Sequence, residues 1–507
     1  MTDISRWIER HAGFQPDKIA LRFQGEETSY AELATQIDAA ARALTGRLGL
    51  KRGDRIAWLG YNAPEMIVLL FAAARTGLIF VPLNWRLAAP EHRHILADCG
   101  ASVLFATRDF AAGVAAALPA GCKLIGVEQP IGGNPSLAEL LADSGRALDR
   151  VGDASRPLLI VYTSGTTGQP KGAVLTQEAL LWNALNSVHM HDMRADDHVL
   201  TVLPMFHVGG LNIQTTPALY MGATVTLHPR FEPGATLQSF AVDRPTLTVQ
   251  VPATMQALIA HPGWASAGLS SLRAVATGST DVPLPLIEAF HARKVPVIQI
   301  YGSTETGPVA IYQRGEDAVA TAGSIGRRGL HTEIRIVDGE GHDVAQGTAG
   351  EVLVRGKHVA SGYWNAPETS AKTFDEGWFR SGDIALEDEH GWFWFKDRIR
   401  NVIISGGENV YPAELERVLR DVPGVVEAAV VARPDARWGA VPVAVVVRDK
   451  NSPIDRADVL AAFEGRLARY KHPKDVIFTD ALPRNAMGKV RIEEVGALAQ
   501  GAHAAAS

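Results

Sequence analysis

Short apolar runs alternate with amphipathic stretches along the first two thirds of the chain, and that alternation limits the fold more than any other feature. Residues 55–60 read as a strand, 64–76 as a helix with Pro64 in its first turn, and 78–83 as the next strand. Residues 30–48 are Ala-rich with apolar side chains at helical spacing. The runs at 158–163, 224–227, 246–251, 274–277 and 297–301 repeat the pattern. Strands regularly followed by helices call for parallel βαβ units, with both faces of the sheet covered. The expected fold class is therefore α/β, with ligands outside the carboxyl ends of the strands.

The texture changes after about residue 323. Runs at 332–337, 351–355 and 392–395 read as strands joined by Gly-rich turns, a smaller β-rich subdomain. A charged stretch, Lys396-Asp397-Arg398-Ile399-Arg400-Asn401, then precedes an α+β pattern: helix 412–420, strands 425–433 and 441–447, helix 457–470. These features place a domain boundary at the charged stretch, with an N-terminal domain over 1–396 and a small α+β domain over 402–507. The Ala/Gly/Ser-rich residues 497–507 are expected to be disordered.

Bulk properties exclude several classes. The formal net charge of −6 is spread along the chain, so no nucleic-acid partner is expected. Two cysteines, Cys99 and Cys122, cannot form a disulfide framework and read as packing residues in a reducing compartment. The first 13 residues lack an apolar secretory core, and the apolar stretch 66–74 falls far short of the roughly 20 residues of a membrane span. The expected location is cytoplasmic, without an integral membrane segment.

The chemistry concentrates in loops. Tyr162-Thr163-Ser164-Gly165-Thr166-Thr167-Gly168-Gln169-Pro170-Lys171-Gly172 overlaps a strand end and continues as a loop. Its glycines admit a ligand close to the backbone, its hydroxyls and N–H groups donate to phosphate oxygens, and Lys171 adds positive charge. Such clusters are commonly plain surface turns. The P-loop pattern fails, because Pro170 precedes Lys171 and Gly172 follows it.

This loop resembles the signature loop of the superfamily of acyl-CoA synthetases, peptide-synthetase adenylation domains and luciferases, and further motifs follow in the family's order from about residue 30 to 491. In Tyr301-Gly302-Ser303-Thr304-Glu305-Thr306-Gly307 the resemblance implies that Tyr301 and Gly302 meet adenine, that Thr304 contacts the α-phosphate and that Glu305 holds Mg²⁺. A capped helix start is the plainer reading. Gly278 and Ser279 would line the adenine and acyl region. Asp383 would bind the ribose hydroxyls, and Arg398 would be a second ribose or phosphate contact. Gly406 and Gly407 would border the CoA channel. Lys489, in Leu482-Pro483-Arg484-Asn485-Ala486-Met487-Gly488-Lys489, would hold the carboxylate substrate and the α-phosphate. His207, in Pro204-Met205-Phe206-His207-Val208-Gly209-Gly210, would guard the acyl pocket, where Gly209 and Gly210 would leave room for bulk.

The resemblance implies ATP, Mg²⁺ and coenzyme A as cofactors and co-substrates, a small carboxylic acid as partner, and room for a homodimer. The reaction implied is ATP + carboxylic acid + CoA to acyl-CoA + AMP + diphosphate through an acyl-adenylate. The resemblance also implies that 397–401 is a hinge and the small domain mobile, rotating about Arg400-Asn401 between half-reactions. The family often has Asp or Lys at that hinge, and Trp-Gly-Glu where this chain has Trp438-Gly439-Ala440. Uncharged pocket stretches favour a fatty acid or an aromatic acid such as a hydroxycinnamate. An enzyme that loads a carrier protein and a non-catalytic nucleotide-binding relative are the alternatives.

Overall fold

The computed structural model describes residues 3–142, 151–163, 170–279, 282–405, 408–435, 438–467, 469–485 and 488–504. The chain forms two compact units, Met1–Ile334 with Leu353–Ser381, and Arg335–Val352 with Gly382–Ser507. It passes between them three times, inside the strands Glu333–Val337, Gly350–Arg355 and Trp378–Glu387.

Among its described residues the first unit carries two sheets. The larger has nine strands: Arg327–Arg328, Ile311–Tyr312, Val297–Tyr301, Ala274–Gly278, Leu247–Gln250, His198–Thr201, Thr224–Leu227, Ile19–Phe23 and Glu26–Ser29, in spatial order. The pairs from Val297–Tyr301 through to Ile19–Phe23 are parallel, and those outside them are antiparallel. From His198–Thr201 the chain goes to one side for Thr224–Leu227 and to the other for Leu247–Gln250. The sheet thus reverses its winding beside His198–Thr201, the kind of switch point beside which open α/β sheets bind ligands. The six-stranded sheet orders Lys123–Gly126, Ala101–Ala106, Arg55–Leu59, Ile79–Pro82, Pro157–Thr163 and Lys171–Thr176.

The helix Pro64–Thr76 is buried on every side from Met66 to Thr76 and forms the centre of this unit's core. At about 20 Å it is a core helix rather than a membrane span, and no helix among the described residues is long and apolar enough to cross a membrane. Arg75, buried in its last turn, pairs with Glu9 and Asp38 at 2.7 Å each, so its charge is neutralised where water is excluded. The 30–48 segment is α-helical over Tyr30–Arg42, opened by a Ser29–Glu32 capping box, and ends in a π turn at Ala43–Arg47.

In the second unit Glu408–Val410, Ile403–Ser405, Gly439–Arg448 and Val425–Asp435 form a sheet, with Asp475–Thr479 parallel to Gly439–Arg448. Pro412–Arg420 turns Leu415, Val418 and Leu419 onto it, beside Val430, Val446 and Phe463. Two expectations need correction. The 457–470 helix is α only over Arg456–Ala461, because Gly465 turns at φ 70°, and a 3-10 turn follows at Arg469–Lys471. The described part of the tail is ordered: Ile492–Ala504 is a helix that packs Val495 and Ala499 against Val431, Val443 and Leu482, and residues 505–507 lie outside the described residues. Of the apolar pair Ile403 and Ile404, only Ile403 is buried.

Lys396, Asp397 and Arg398 end the strand Phe393–Arg398, and Ile399–Asn401 is a 3-10 turn. Asp397 is buried and accepts from the N–H groups of Arg398 and Ala413 and from Asn401 Nδ2, at 2.7, 2.8 and 3.1 Å.

Candidate active site in the first unit

The strand ending at Thr163 does not lead into a helix. Lys171–Thr176 returns antiparallel to Pro157–Thr163, with Thr163 opposite Lys171, so the Gly/Thr loop connects a hairpin. Ser164, Gly165, Thr166, Thr167 and Gly168 lie outside the described residues. Thr163 and Lys171 stand at the two roots of their loop, and Thr163 Oγ1 donates to the Lys171 carbonyl at 3.4 Å.

A distant segment runs along the hairpin. Val174 N–H donates to the Gly362 carbonyl at 3.0 Å, Trp364 N–H donates to the Gly172 carbonyl at 2.7 Å, and Ala173 bridges Tyr363. That register puts the Tyr363 ring beside Lys171, whose Nζ lies 5.8 Å from the ring centroid. The Tyr363 hydroxyl donates to Glu305 Oε1 at 2.8 Å. Burial pushes the Tyr363 hydroxyl well above the ordinary tyrosine range, the adjacent Glu305 carboxylate adds to the rise, and so the phenol stays a donor. Lys171, Tyr363 and Glu305 thus form one chain of contacts from a cation to a carboxylate.

Glu305 lies in the 3-10 turn Thr304–Thr306 that follows Val297–Tyr301, and it is 8% exposed. The plainer reading of a capped start holds in part: the cap is Ser303, whose N–H donates to Thr306 Oγ1 at 2.9 Å, and the helix is a single 3-10 turn. Its backbone carbonyl accepts from Ala360 N–H at 2.7 Å. Among the described residues Tyr363 is the one side chain bonded to its carboxylate, and no cluster of three His, Cys, Asp or Glu is present. One carboxylate without a protein cage fits Mg²⁺, a hard ion that takes one or two carboxylates and completes its shell with phosphate and water oxygens.

The turn is held by a polar stripe on the helix Gln177–His191. Asn183 Oδ1 accepts from Val309 N–H at 3.0 Å, and Asn183 Nδ2 donates to the Asn212 carbonyl at 2.7 Å. Asn186 Nδ2 donates to the Val309 carbonyl, and Asn212 Nδ2 to the Gly307 carbonyl. His358, driven down to about 4 by burial, stays neutral between Thr306 O and Thr332 Oγ1. The motif reading found none of these supports. The signal was present in Asn183, Asn186, Ser187 and His191, polar residues at helical spacing that are all buried.

In the larger sheet, Gly278 ends the strand Ala274–Gly278 and Ser279 follows it, and Tyr301 ends the neighbouring strand and Gly302 follows it. Ser279 is exposed and holds φ 78°, a left-handed conformation that costs a non-glycine residue about 1 kcal/mol or more. His207 precedes the short helix Val208–Gly210, and its Nδ1 accepts from Gly209 N–H at 3.0 Å. Gly210 and Gly278 do not open space. A Cβ on Gly210 would lie 2.4 Å from the Pro204 carbonyl, and one on Gly278 would lie 2.3 Å from that of Ile300. Both serve close backbone approach, which corrects the expectation of room for bulk at Gly210; a Cβ on Gly209 would meet only the His207 ring, at 3.1 Å.

The second unit holds the remaining candidates. Asp383 and Arg398 face each other across paired strands and form an ion pair at 3.2 Å. Lys489 is exposed on a tight turn: its N–H donates to Asn485 Oδ1 at 3.0 Å, and Gly488 turns at φ 78°. Gly406 and Gly407 lie outside the described residues.

Residues 8–364 match the AMP-binding enzyme family and residues 414–489 its C-terminal domain. The chain is 52% identical to an indoleacetate–CoA ligase of Aromatoleum aromaticum over 498 residues, covering 97% of each protein. It is 42% identical to a feruloyl-CoA synthase of an Amycolatopsis species, covering 97% of this chain and 98% of that one. The o-succinylbenzoate CoA synthetase of Bacillus subtilis, solved with ATP and magnesium ion, superposes with a TM-score of 0.85 at 29% identity, covering 96% of this chain and 98% of that one. The chain belongs to the AMP-binding enzyme family and is an AMP-forming acyl-CoA synthetase of the adenylate-forming superfamily, a carboxylate–CoA ligase that works through an acyl-adenylate.

Proposed function

We propose that the acid activated is an aryl acid of the arylacetate or hydroxycinnamate type, and that adenylation occurs at the Lys171–Tyr363–Glu305 assembly. The observation that carries the site is this single chain of contacts, which joins a phosphate-seeking cation to a carboxylate suited to a hard metal ion. The aryl reading is supported by the acids named for the two curated relatives, each an aromatic ring with one N–H or O–H donor and a short side chain that ends in the carboxylate.

In the first half-reaction a carboxylate oxygen of the acid attacks the α-phosphorus of ATP, and the bond to diphosphate breaks. Both reactants are anionic, so the residues serve mainly to neutralise charge and to position. Lys171 and the loop rooted at Thr163 hold phosphate oxygens, and Thr304 binds the α-phosphate. Glu305, with one oxygen bonded to Tyr363, would hold magnesium through the other, and the ion would offset the charge that builds on the leaving diphosphate. Tyr301 and Gly302 meet the adenine, Gly278 and Ser279 border adenine and acyl group, and His207 guards the acyl pocket. Lys489 holds the carboxylate and α-phosphate during adenylation, and Asp383 and Arg398 bind the ribose. In the second half-reaction the CoA sulfur attacks the acyl carbonyl and AMP leaves, with Gly406 and Gly407 bordering the CoA path and 397–401 as the hinge.

A panel of acids assayed for CoA-dependent AMP formation tests the substrate class. Indole-3-acetate or 4-hydroxycinnamate should exceed decanoate and palmitate at least tenfold in kcat/KM. A fatty acid turned over better than every aryl acid would contradict the reading.

A further inference from the structure

The hairpin and the 362–364 segment are joined along their backbones, and one residue outside both joins them again. On the hairpin, Tyr162 precedes Thr163 and stands opposite Gly172. A Cβ on Gly172 would lie 2.6 Å from Ile160 and 3.1 Å from the Tyr162 ring, so glycine there lets the ring lie across the hairpin. On the other arm Trp364 and Asn365 follow Tyr363. Tyr162 and Trp364 pack on one apolar cluster, which includes Ile160 and Val174.

Asp98 meets both arms from the last turn of the helix Ala89–Cys99. Its Oδ2 accepts from the Tyr162 hydroxyl at 2.5 Å. Its backbone carbonyl accepts from Asn365 Nδ2 at 2.8 Å and from Trp364 Nε1 at 3.2 Å. Burial, and after it the bond to Asp98, pushes the Tyr162 hydroxyl far above the ordinary tyrosine range, so the phenol stays a donor. The last turn of a helix is an unfavourable place for an acid, because its negative charge opposes the dipole. Arg55 relieves that end by donating to the carbonyls of Cys99 and Gly100, and its guanidinium lies 5.6 Å from the Trp364 ring centroid. A carboxylate in an unfavourable turn, bonded to one hydroxyl, serves that contact rather than its helix.

We propose that Asp98 is a positioning residue for adenylation, which holds the root of the phosphate loop at Tyr162 in register with the segment that presents Tyr363 to Glu305. The proposal rests on the reading of Lys171, Tyr363 and Glu305 as the adenylation site. Asp98 acts through Tyr162, one residue before Thr163, and through the two residues after Tyr363. Such positioning matters because a cation or carboxylate displaced from the triphosphate loses much of its effect on the rate.

The test measures two half-reactions of the full-length enzyme: acid-dependent diphosphate release at varied MgATP, and thioester formation from a supplied acyl-adenylate. Asp98→Ala keeps the carbonyl bonds and removes the bond to Tyr162. It should lower kcat/KM for MgATP about 10- to 100-fold and leave thioester formation within about twofold. Tyr162→Phe removes the same bond from the other end, keeps the ring over Gly172, and decides the matter even if Asp98→Ala folds poorly. It should match Asp98→Ala, and the double variant should be no slower than either, because one bond is lost only once. Asp98→Asn keeps an acceptor and should recover the rate to within about fivefold of the unmodified enzyme. A residue that serves stability alone would lower both half-reactions alike. Equal loss in both, an Asp98→Asn enzyme as slow as Asp98→Ala, or a double variant slowed by the product of the single effects overturns the proposal. Tyr363→Phe separates the two claims: if it slows diphosphate release while the Asp98 and Tyr162 variants do not, the adenylation-site reading stands and the proposal falls. If none of them slows it, both fall.

Discussion

Replacing Tyr363 with Phe removes one oxygen and tests the adenylation site at its joint. The ring that faces Lys171 stays, and only the 2.8 Å bond to Glu305 is lost. A hydrogen bond to a charged group is worth about 1.5–3 kcal/mol, and each 1.36 kcal/mol is a factor of ten in rate, so adenylation should slow about 10- to 100-fold. Tyr363→Ala also removes the ring from Lys171, a contact worth about 0.5–1 kcal/mol, and should slow it a further two- to fivefold. Acid-dependent diphosphate release, titrated with magnesium, measures the loss, and the magnesium needed for half-maximal rate should rise. Glu305 acts on the triphosphate, so thioester formation from a supplied acyl-adenylate should keep its rate and serves as the folding control. Unchanged diphosphate release in Tyr363→Phe, or an equal drop in both half-reactions, would refute the reasoning.

Lys489→Ala should abolish adenylate formation yet largely spare thioester formation from a supplied acyl-adenylate; equal loss of both steps contradicts its assigned role. Asn183→Ala leaves the buried Val309 N–H without its acceptor and should lower stability by about 1–3 kcal/mol, read as a fall in denaturant midpoint. His191 is driven from its ordinary value near 6.5 down to about 4 by burial, partly offset by its bond to the Ser187 carbonyl. Its contribution is therefore complete above pH 6.5 and is lost as pH falls toward 4, where the unfolded chain takes up a proton that the folded one refuses; the full span is about 3 kcal/mol. Urea titrations between pH 7 and 4 should show that slope, and His191→Gln, less stable at pH 7, should flatten it.

The elements that were legible in advance are those whose burial is written locally. Pro64–Thr76 is apolar all round and opens on proline, and Thr224–Leu227 and Val297–Tyr301 are apolar runs bounded by turn residues. The readings failed where a single residue or a distant partner decides. Gly465 cut a helix that the apolar spacing alone would have continued. Ala-rich composition hid the terminal helix, although Val495 and Ala499 stand one turn apart and are both buried.

The loops of the candidate site were legible because glycine, hydroxyl and charge concentrate in them. Tyr363 was not, since its role arises only when 362–364 aligns with the hairpin strand Lys171–Thr176, far away in sequence. Asp98 was equally silent, because its carboxylate and its carbonyl meet Tyr162 and Trp364 only once the two arms lie side by side.

Product stoichiometry tests the central claim most directly. The purified chain is incubated with ATP, magnesium, CoA and indole-3-acetate, and nucleotides and thioester are separated and counted. The account predicts AMP, diphosphate and indoleacetyl-CoA in equal amounts, with no AMP when the acid is left out. ADP and orthophosphate as products, or AMP formed at the same rate without the acid, would contradict it.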